Sequence, residues 1–303
     1  MIIMAGMMLL LVGVDALCPP DTVPFAGDCE PFADSFAKEM AFLRHHAFAF
    51  DAPNNASLFG DGSLGVATVN LALRARTRYG WAAAVPREIF RSAVLPYANV
   101  NEARTDWRQL FTDAIQPMLA NVANSTALED VALLINSKLW STLGSQFSPR
   151  GAPITFKSEQ TPLIYDPLST VLFGSASCTG ISITYVDALR SAGIPARLVG
   201  TPAWHGKVED GNHNWVEVWL GNQIGWKFIE GAPAGAGETF ENPCSMWFCN
   251  PSHFNKSGTQ VFAATYGESG PGSIHYPMAW DLDNTGVVGV DRSAYYNAVC
   301  SAC

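Results

Sequence analysis

From Pro31 to about Asn124, apolar residues recur every three or four positions, the period of a helix with one buried face. The run PFADSFAKEMAFLRHHAFAF (31–50) has this spacing. In TVNLALRARTRY (68–79), Val69, Ala72 and Leu73 share one side, with Arg74, Arg76 and Arg78 largely opposite. Pro86 precedes REIFRSAVL, and a proline suits a first helical turn because the N–H it lacks has no partner there. Thr105-Asp106-Trp107 opens WRQLFTDAIQPMLANVA, which Pro117 should kink or end. Ser125 or Thr126 is placed to cap ALEDVALLINSKLWSTLG, a segment that should stop at Gly144.

After Gly151 the texture changes. Ser175 or Ser177 can cap a helix with the apolar stripe Ile181, Tyr185, Ala188, Leu189 and Ala192, closed by Gly193 and then Pro195. A short strand, ARLVG (196–200), leads to the loop TPAWHGKVEDGN. HNWVEVWL (213–220) alternates with period two, GNQIG turns, and WKFIEG (226–231) returns as the antiparallel partner. One helix followed by three strands is an α+β core, not a doubly wound parallel sheet. The chain then divides into a leader (1–16), a mostly helical region (17–150), the α+β core (151–240) and a loop-rich extension of that core (241–303).

Composition narrows the classes. Hydrophobic residues make up 48% and charged residues 15%, enough for a large core and too apolar for wholesale disorder. A net charge of −9 and a pI near 5.1 exclude nucleic acid and anionic membrane as expected partners, since both need a basic surface. The leader MIIMAGMMLLLVGVDA is short and apolar and ends in small residues, so it reads as a signal peptide despite having no Lys or Arg before Lys38. No later apolar run is long enough for a transmembrane anchor after its removal, and the expected location is secreted or secretory-pathway lumen. Sequons at Asn55, Asn124 and Asn255 agree with export as glycosylation candidates.

Seven cysteines follow the leader: Cys18, Cys29, Cys178, Cys244, Cys249, Cys300 and Cys303. Six sit near the two ends and are disulfide candidates; local pairing joins Cys18–Cys29, Cys244–Cys249 and Cys300–Cys303, among fifteen connectivities. The odd count leaves a thiol over, most economically Cys178 in GSASCTGIS. Three readings of Cys178 are open: a small core residue, half of a long-range bridge, or a nucleophile at a helix start. In the last, the first-turn N–H groups and the helix dipole favour a thiolate and can hold an oxyanion. Gly180 and the flanking serines keep that helix mouth uncluttered.

A cysteine nucleophile needs a base, and the base an orienting acceptor. His213 begins the alternating strand, and pairing through GNQIG sets Glu230 roughly opposite Trp215, on the face of His213. Glu217 on the same strand face competes with Glu230 as partner, and His45, His46, His205, His253 and His275 are rival bases without a comparable strand and acid.

GSASCTGISITYVDALRSAGIPARLVG, GNHNWVEVWL and GWKFIE together resemble the transglutaminase-like superfamily, a fold related to papain-like thiol proteases. The likeness runs over roughly residues 60–296, nearest bacterial-type transglutaminase-domain proteins of little-known function. It implies a nucleophile helix packed on an antiparallel sheet and a Cys178–His213–Glu230 triad, with Glu230, four residues after Trp226, standing where the family usually has Asp. The implied activity is amide acyl transfer through a Cys thioester, hydrolytic or transamidating, on a peptide or protein amide, with no cofactor. By analogy with papain-like sites, Gln160 is an oxyanion-hole candidate, and Trp204 and Trp215 are candidate walls of the substrate channel. The departure to Glu leaves a second reading, a catalytically inactive module binding protein or glycan in the same cleft. Asp281-Leu282-Asp283-Asn284-Thr285-Gly286 looks like the start of an EF-hand loop, but Arg292 stands where a bidentate Glu is needed, so it reads as a turn and no metal is expected.

Overall fold

The structure, a computed structural model, describes residues 18–25, 27–235, 239–254, 258–267 and 274–303. The leader 1–16 and the sequon at Asn255 lie outside these residues; Asn55 and Asn124 are exposed. A hairpin of β1 (Thr22–Phe25) and β2 (Asp28–Pro31) leads into the helical region: α1 (Phe32–His45), α2 (Leu64–Arg78), α3 (Arg87–Ala93), α4 (Trp107–Leu119) and α5 (Leu128–Thr142). Three sequence expectations need correction. Pro117 does not end α4, which runs on to Leu119: the proline sits in the last turn, where one lost hydrogen bond is outweighed by the buried stripe Trp107, Phe111, Ala114, Ile115 and Leu119. Neither Ser125 nor Thr126 caps α5; Ala127 occupies that position, with Glu129 and Asp130 set in the first turn, where the helix dipole favours negative charge. Past α5 a π-helical turn (143–147) carries the chain through Gly144, where a side chain would stand 1.9 Å from the Ala152 carbonyl oxygen. Close approach of backbone, not helix termination, is what that glycine serves.

Beyond α6 (Pro167–Phe173), the helix α7 spans Cys178–Ser191, with Ser177 at its N-cap position and Gly193 in the left-handed region just after it. The apolar stripe predicts one solvated face, yet every residue from Thr179 to Ser191 is buried. The helix is covered on two sides: α4 and α5 lie against it from the helical region, and the sheet lies against it from the other. Several of its polar groups find partners inside the molecule, Ser182 Oγ at the Asn214 carbonyl and Asp187 Oδ1 at the Asn99 amide, which offsets part of the cost of burying a helix this mixed.

Strands β3 (Ala196–Thr201), β4 (His213–Trp219), β5 (Trp226–Ile229), β6 (Phe262–Ala264), β7 (Ile274–His275) and β8 (Val288–Asp291) form an antiparallel sheet in the order β5-β4-β3-β6-β8-β7. Three of these strands and the closing helix α8 (Ser293–Cys300) come from the segment read as loop-rich, whose strands are too short for a clear period-two signal. The fold is α+β, with a helical N-terminal region and the Cys178-bearing helix packed on an antiparallel sheet.

Candidate active site

Position in the fold brings Cys178, His213 and Glu230 together. Cys178 is the first residue of α7, His213 the first of β4, and Glu230 the residue just after β5. The β4–β5 register pairs Val216 with Ile229 and Trp219 with Trp226; continued by one residue it sets Trp215 opposite Glu230, as the turn length predicts. Helix and strand are stapled at the site itself. The Thr179 hydroxyl donates to Asn214 Oδ1 at 2.8 Å, the Ser182 hydroxyl donates to the Asn214 carbonyl at 3.1 Å, and Asn214 Nδ2 donates to the Tyr276 hydroxyl at 2.7 Å. These bonds hold the N-terminus of α7 level with the start of β4, so the thiol meets the imidazole.

The imidazole Nε2 bonds Glu230 Oε1, which also accepts from Trp247 Nε1 at 3.3 Å. With Nε2 committed, Nδ1 is the ring nitrogen left for the thiol, and each group shifts the titration of the other. Burial pushes the Cys178 thiol up, but the His213 hydrogen bond and charge, the Asn214 backbone N–H and the Thr179 side chain outweigh it and hold the thiol below its ordinary value. Burial pulls His213 down, and the contacts with Cys178 and Glu230 reverse this, raising it to about 9. Both shifts act in the same direction, toward a thiolate beside an imidazolium. Trp247 lies against the imidazole, ring centroids 4.6 Å apart, with 45% of its own surface exposed.

The thiol opens onto a cavity of about 640 Å³ lined by Phe156, Thr161, Ser177, Thr179, Trp247 and Trp280, among others. His213 is the one histidine that lines it among the described residues. A thiol and an imidazole on the wall of a cavity, with a buried carboxylate bonded to the imidazole behind them, form an arrangement that can perform acyl transfer.

A sequence model described as the transglutaminase-like superfamily matches residues 141–230, a span that contains Cys178 and His213 and ends on Glu230. Residues 141–230 are a transglutaminase-like core. Among solved structures, a "Putative Cysteine Protease" from Cytophaga hutchinsonii is similar at 11% identity and a TM-score of 0.32, over 63% of this chain and 60% of that one. The chain thus spans under two thirds of that protein. No curated protein matches.

Within the transglutaminase-like core, Glu217 does not compete for His213. Its carboxylate is fully buried and taken by Arg197 at 2.6 Å, Arg292 at 2.9 Å and the Tyr296 hydroxyl at 3.0 Å. Gln160 is not brought to the site: its amide donates to the Ser158 carbonyl at 3.0 Å, and it is absent from the cavity wall. Trp215 is fully buried, stacked on Phe248 and donating to Tyr296, so it supports β4 from behind instead of walling a channel. Trp204 is buried beside the His213 ring, with centroids 6.4 Å apart, and is likewise not on the cavity wall. Gly180 does not clear the helix mouth; a side chain there would meet Ala176 at 2.6 Å and the Ile164 carbonyl at 3.1 Å, so its smallness serves packing.

Cysteine pairing also needs correction. Cys18 bonds Cys29 as local pairing predicts, but the other bridges are Cys244–Cys303 and Cys249–Cys300. α8 brings the C-terminus back over the 243–249 segment, making the distant partners the near ones. Cys178 is the free cysteine.

Two contributors escape the sequence reading. Asn136 on α5 donates to the Glu230 carbonyl at 2.9 Å and accepts from the Ala232 N–H at 2.9 Å, pinning the backbone just after the acid. Its signal was available: an amide on the apolar stripe of Ala132, Ile135 and Leu139 must be buried and needs partners. Trp247, in a segment without periodicity, had no such signal.

Proposed function

We propose that the protein is a cysteine-dependent amide acyl-transfer enzyme, and the observation that carries this reading is the convergence of Cys178 and His213 on one cavity wall with Glu230 hydrogen-bonded to the imidazole behind it. The Cys178 thiolate attacks the carbonyl carbon of a peptide or side-chain amide, forming the S–C bond and a tetrahedral oxyanion. The first-turn N–H groups of α7, which lack intrahelical acceptors, face the place where that charge develops. The His213 imidazolium gives its proton to the leaving nitrogen as the C–N bond breaks, leaving a thioester and neutral imidazole. Water then attacks the thioester, His213 takes its proton, and the thiolate departs. An amine in place of water gives transamidation; hydrolysis is the default because water is abundant. Glu230 orients the ring and stabilises its charged form. Its contact with His213 supports the catalytic reading over the inactive binding module.

The same reading places the protein in the secretory pathway, with residues 1–16 as a signal peptide, 17–150 as a helical region, 151–240 as the catalytic core and 241–303 as its extension. Three disulfides support it, and no helix among the described residues is long and apolar enough to cross a membrane. The test is the pH dependence of iodoacetamide labelling of the unreduced protein, with the label mapped by peptide mass spectrometry. Cys178 should label rapidly well below the usual thiol range, and His213→Ala should remove that reactivity. Labelling no faster than an ordinary exposed thiol overturns the proposal.

A further inference from the structure

The orienting acid of this site is a glutamate where the family usually has an aspartate, one methylene shorter. The longer side chain has to put its carboxylate somewhere. Glu230 is buried, its Oε1 bonded to His213 and Trp247, while Oε2 is buried with no hydrogen-bond partner among the described residues. Oε2 points at Gly235: a Cβ built there would lie 1.3 Å from Oε2 and 2.4 Å from the carboxylate carbon. Real Cβ atoms never come this close to another heavy atom, and the neighbour that would have to give way is not a free end. Its other oxygen is held by two partners, and Asn136 clamps the backbone it hangs from. Of the described glycines near the site, Gly180 and Gly231 serve packing against α7 and its neighbours, and Gly235 meets the carboxylate.

We propose that Gly235 is a positioning residue: its missing side chain creates the space in which the Glu230 carboxylate lies when it meets His213, so that glutamate can serve where an aspartate is usual. This rests on the reading of Cys178, His213 and Glu230 as a working triad. It makes Glu230 and Gly235 a coupled pair. A methyl group at 235 drives the carboxylate off the imidazole when residue 230 is Glu, and is accommodated when residue 230 is the shorter Asp. Loss of the carboxylate contact lowers the share of imidazolium and with it the share of Cys178 thiolate at acid pH.

The experiment is a double-mutant cycle over wild type, Gly235→Ala, Glu230→Asp and the double variant, read by the pH at which Cys178 labelling with iodoacetamide begins, with circular dichroism and thermal melting as the fold check. Gly235→Ala should move the onset of labelling to higher pH and slow labelling near pH 6 by about tenfold or more, a coupling of the size that contacting residues show. In the Glu230→Asp background the same substitution should change labelling by less than about twofold. If Gly235→Ala fails to fold while the double variant folds, the steric conflict lies with the glutamate and the proposal stands. Equal effects of Gly235→Ala in both backgrounds, or failure of both alanine variants to fold, overturn it. A wild-type thiol without low-pH reactivity sinks the triad reading itself, whereas a reactive wild type with additive variants sinks only the role of Gly235.

Discussion

At the residue scale, the proposed chemistry rests on two opposed shifts. The Cys178 thiol is held below its ordinary value and His213 is raised to about 9, so the thiolate–imidazolium pair exists between the two. The acid limit of that window is protonation of the thiolate; the alkaline limit is loss of the His213 proton. Turnover on an amide needs both charges, because the leaving nitrogen takes its proton from His213, while alkylation needs the thiolate alone. Turnover should therefore fall above about pH 9 while Cys178 labelling stays fast, a divergence measurable on one preparation. Glu230→Gln keeps the size of the side chain and removes its charge, so the His213 proton is lost at lower pH. The alkaline limb of turnover should move down and kcat/KM should drop by about 10²-fold. An unchanged alkaline limb would mean that the carboxylate does not hold the imidazolium.

At the scale of elements, helix α7 and strand β4 have to stay in register to within a fraction of an ångström, and the bonds around Asn214 do this. Thr179→Val keeps the shape of the side chain but deletes the hydroxyl that donates to Asn214 Oδ1, leaving a buried acceptor unpaired. It should cost about 1–3 kcal/mol in urea unfolding and shift Cys178 labelling to higher pH. Asn136→Ala strips the Glu230 carbonyl, the Ala232 N–H and Trp140 Nε1 of their common partner, and should cost on the order of 3 kcal/mol. A measured loss below about 0.5 kcal/mol would show that the end of β5 is held by other contacts.

For the whole molecule, the two C-terminal bridges tie α8 to the segment that carries Trp247 and Phe248 over His213 and Trp215. Cys249 and Cys300 are fully buried, whereas Cys244 and Cys303 are exposed. Graded reduction should open Cys244–Cys303 first, as read by differential alkylation and mass spectrometry. Cys249→Ser with Cys300→Ser should lower stability by about 2–4 kcal/mol, the usual range for a native bridge, with the enclosing Cys244–Cys303 bridge still closed. It should also raise the exposure of His213, because Trp247 loses its anchor.

The candidate site was legible where its parts are local. A cysteine at a helix start, a histidine at the head of an alternating strand and an acid returning through a five-residue turn are set by periodicity and hairpin register, which nearby residues decide. Local pattern could not choose Glu230 over Glu217, because the choice lies with Arg197, Arg292 and Tyr296, which close on Glu217 from other strands and from α8. Nor could it pair the C-terminal cysteines, bring Trp247 over the imidazole, bury α7 on every side or show what the absent side chain at Gly235 makes room for. Each of these depends on a surface supplied from far along the chain. Periodicity determined which residues could meet; the packing of α7 between helices and sheet decided which ones did.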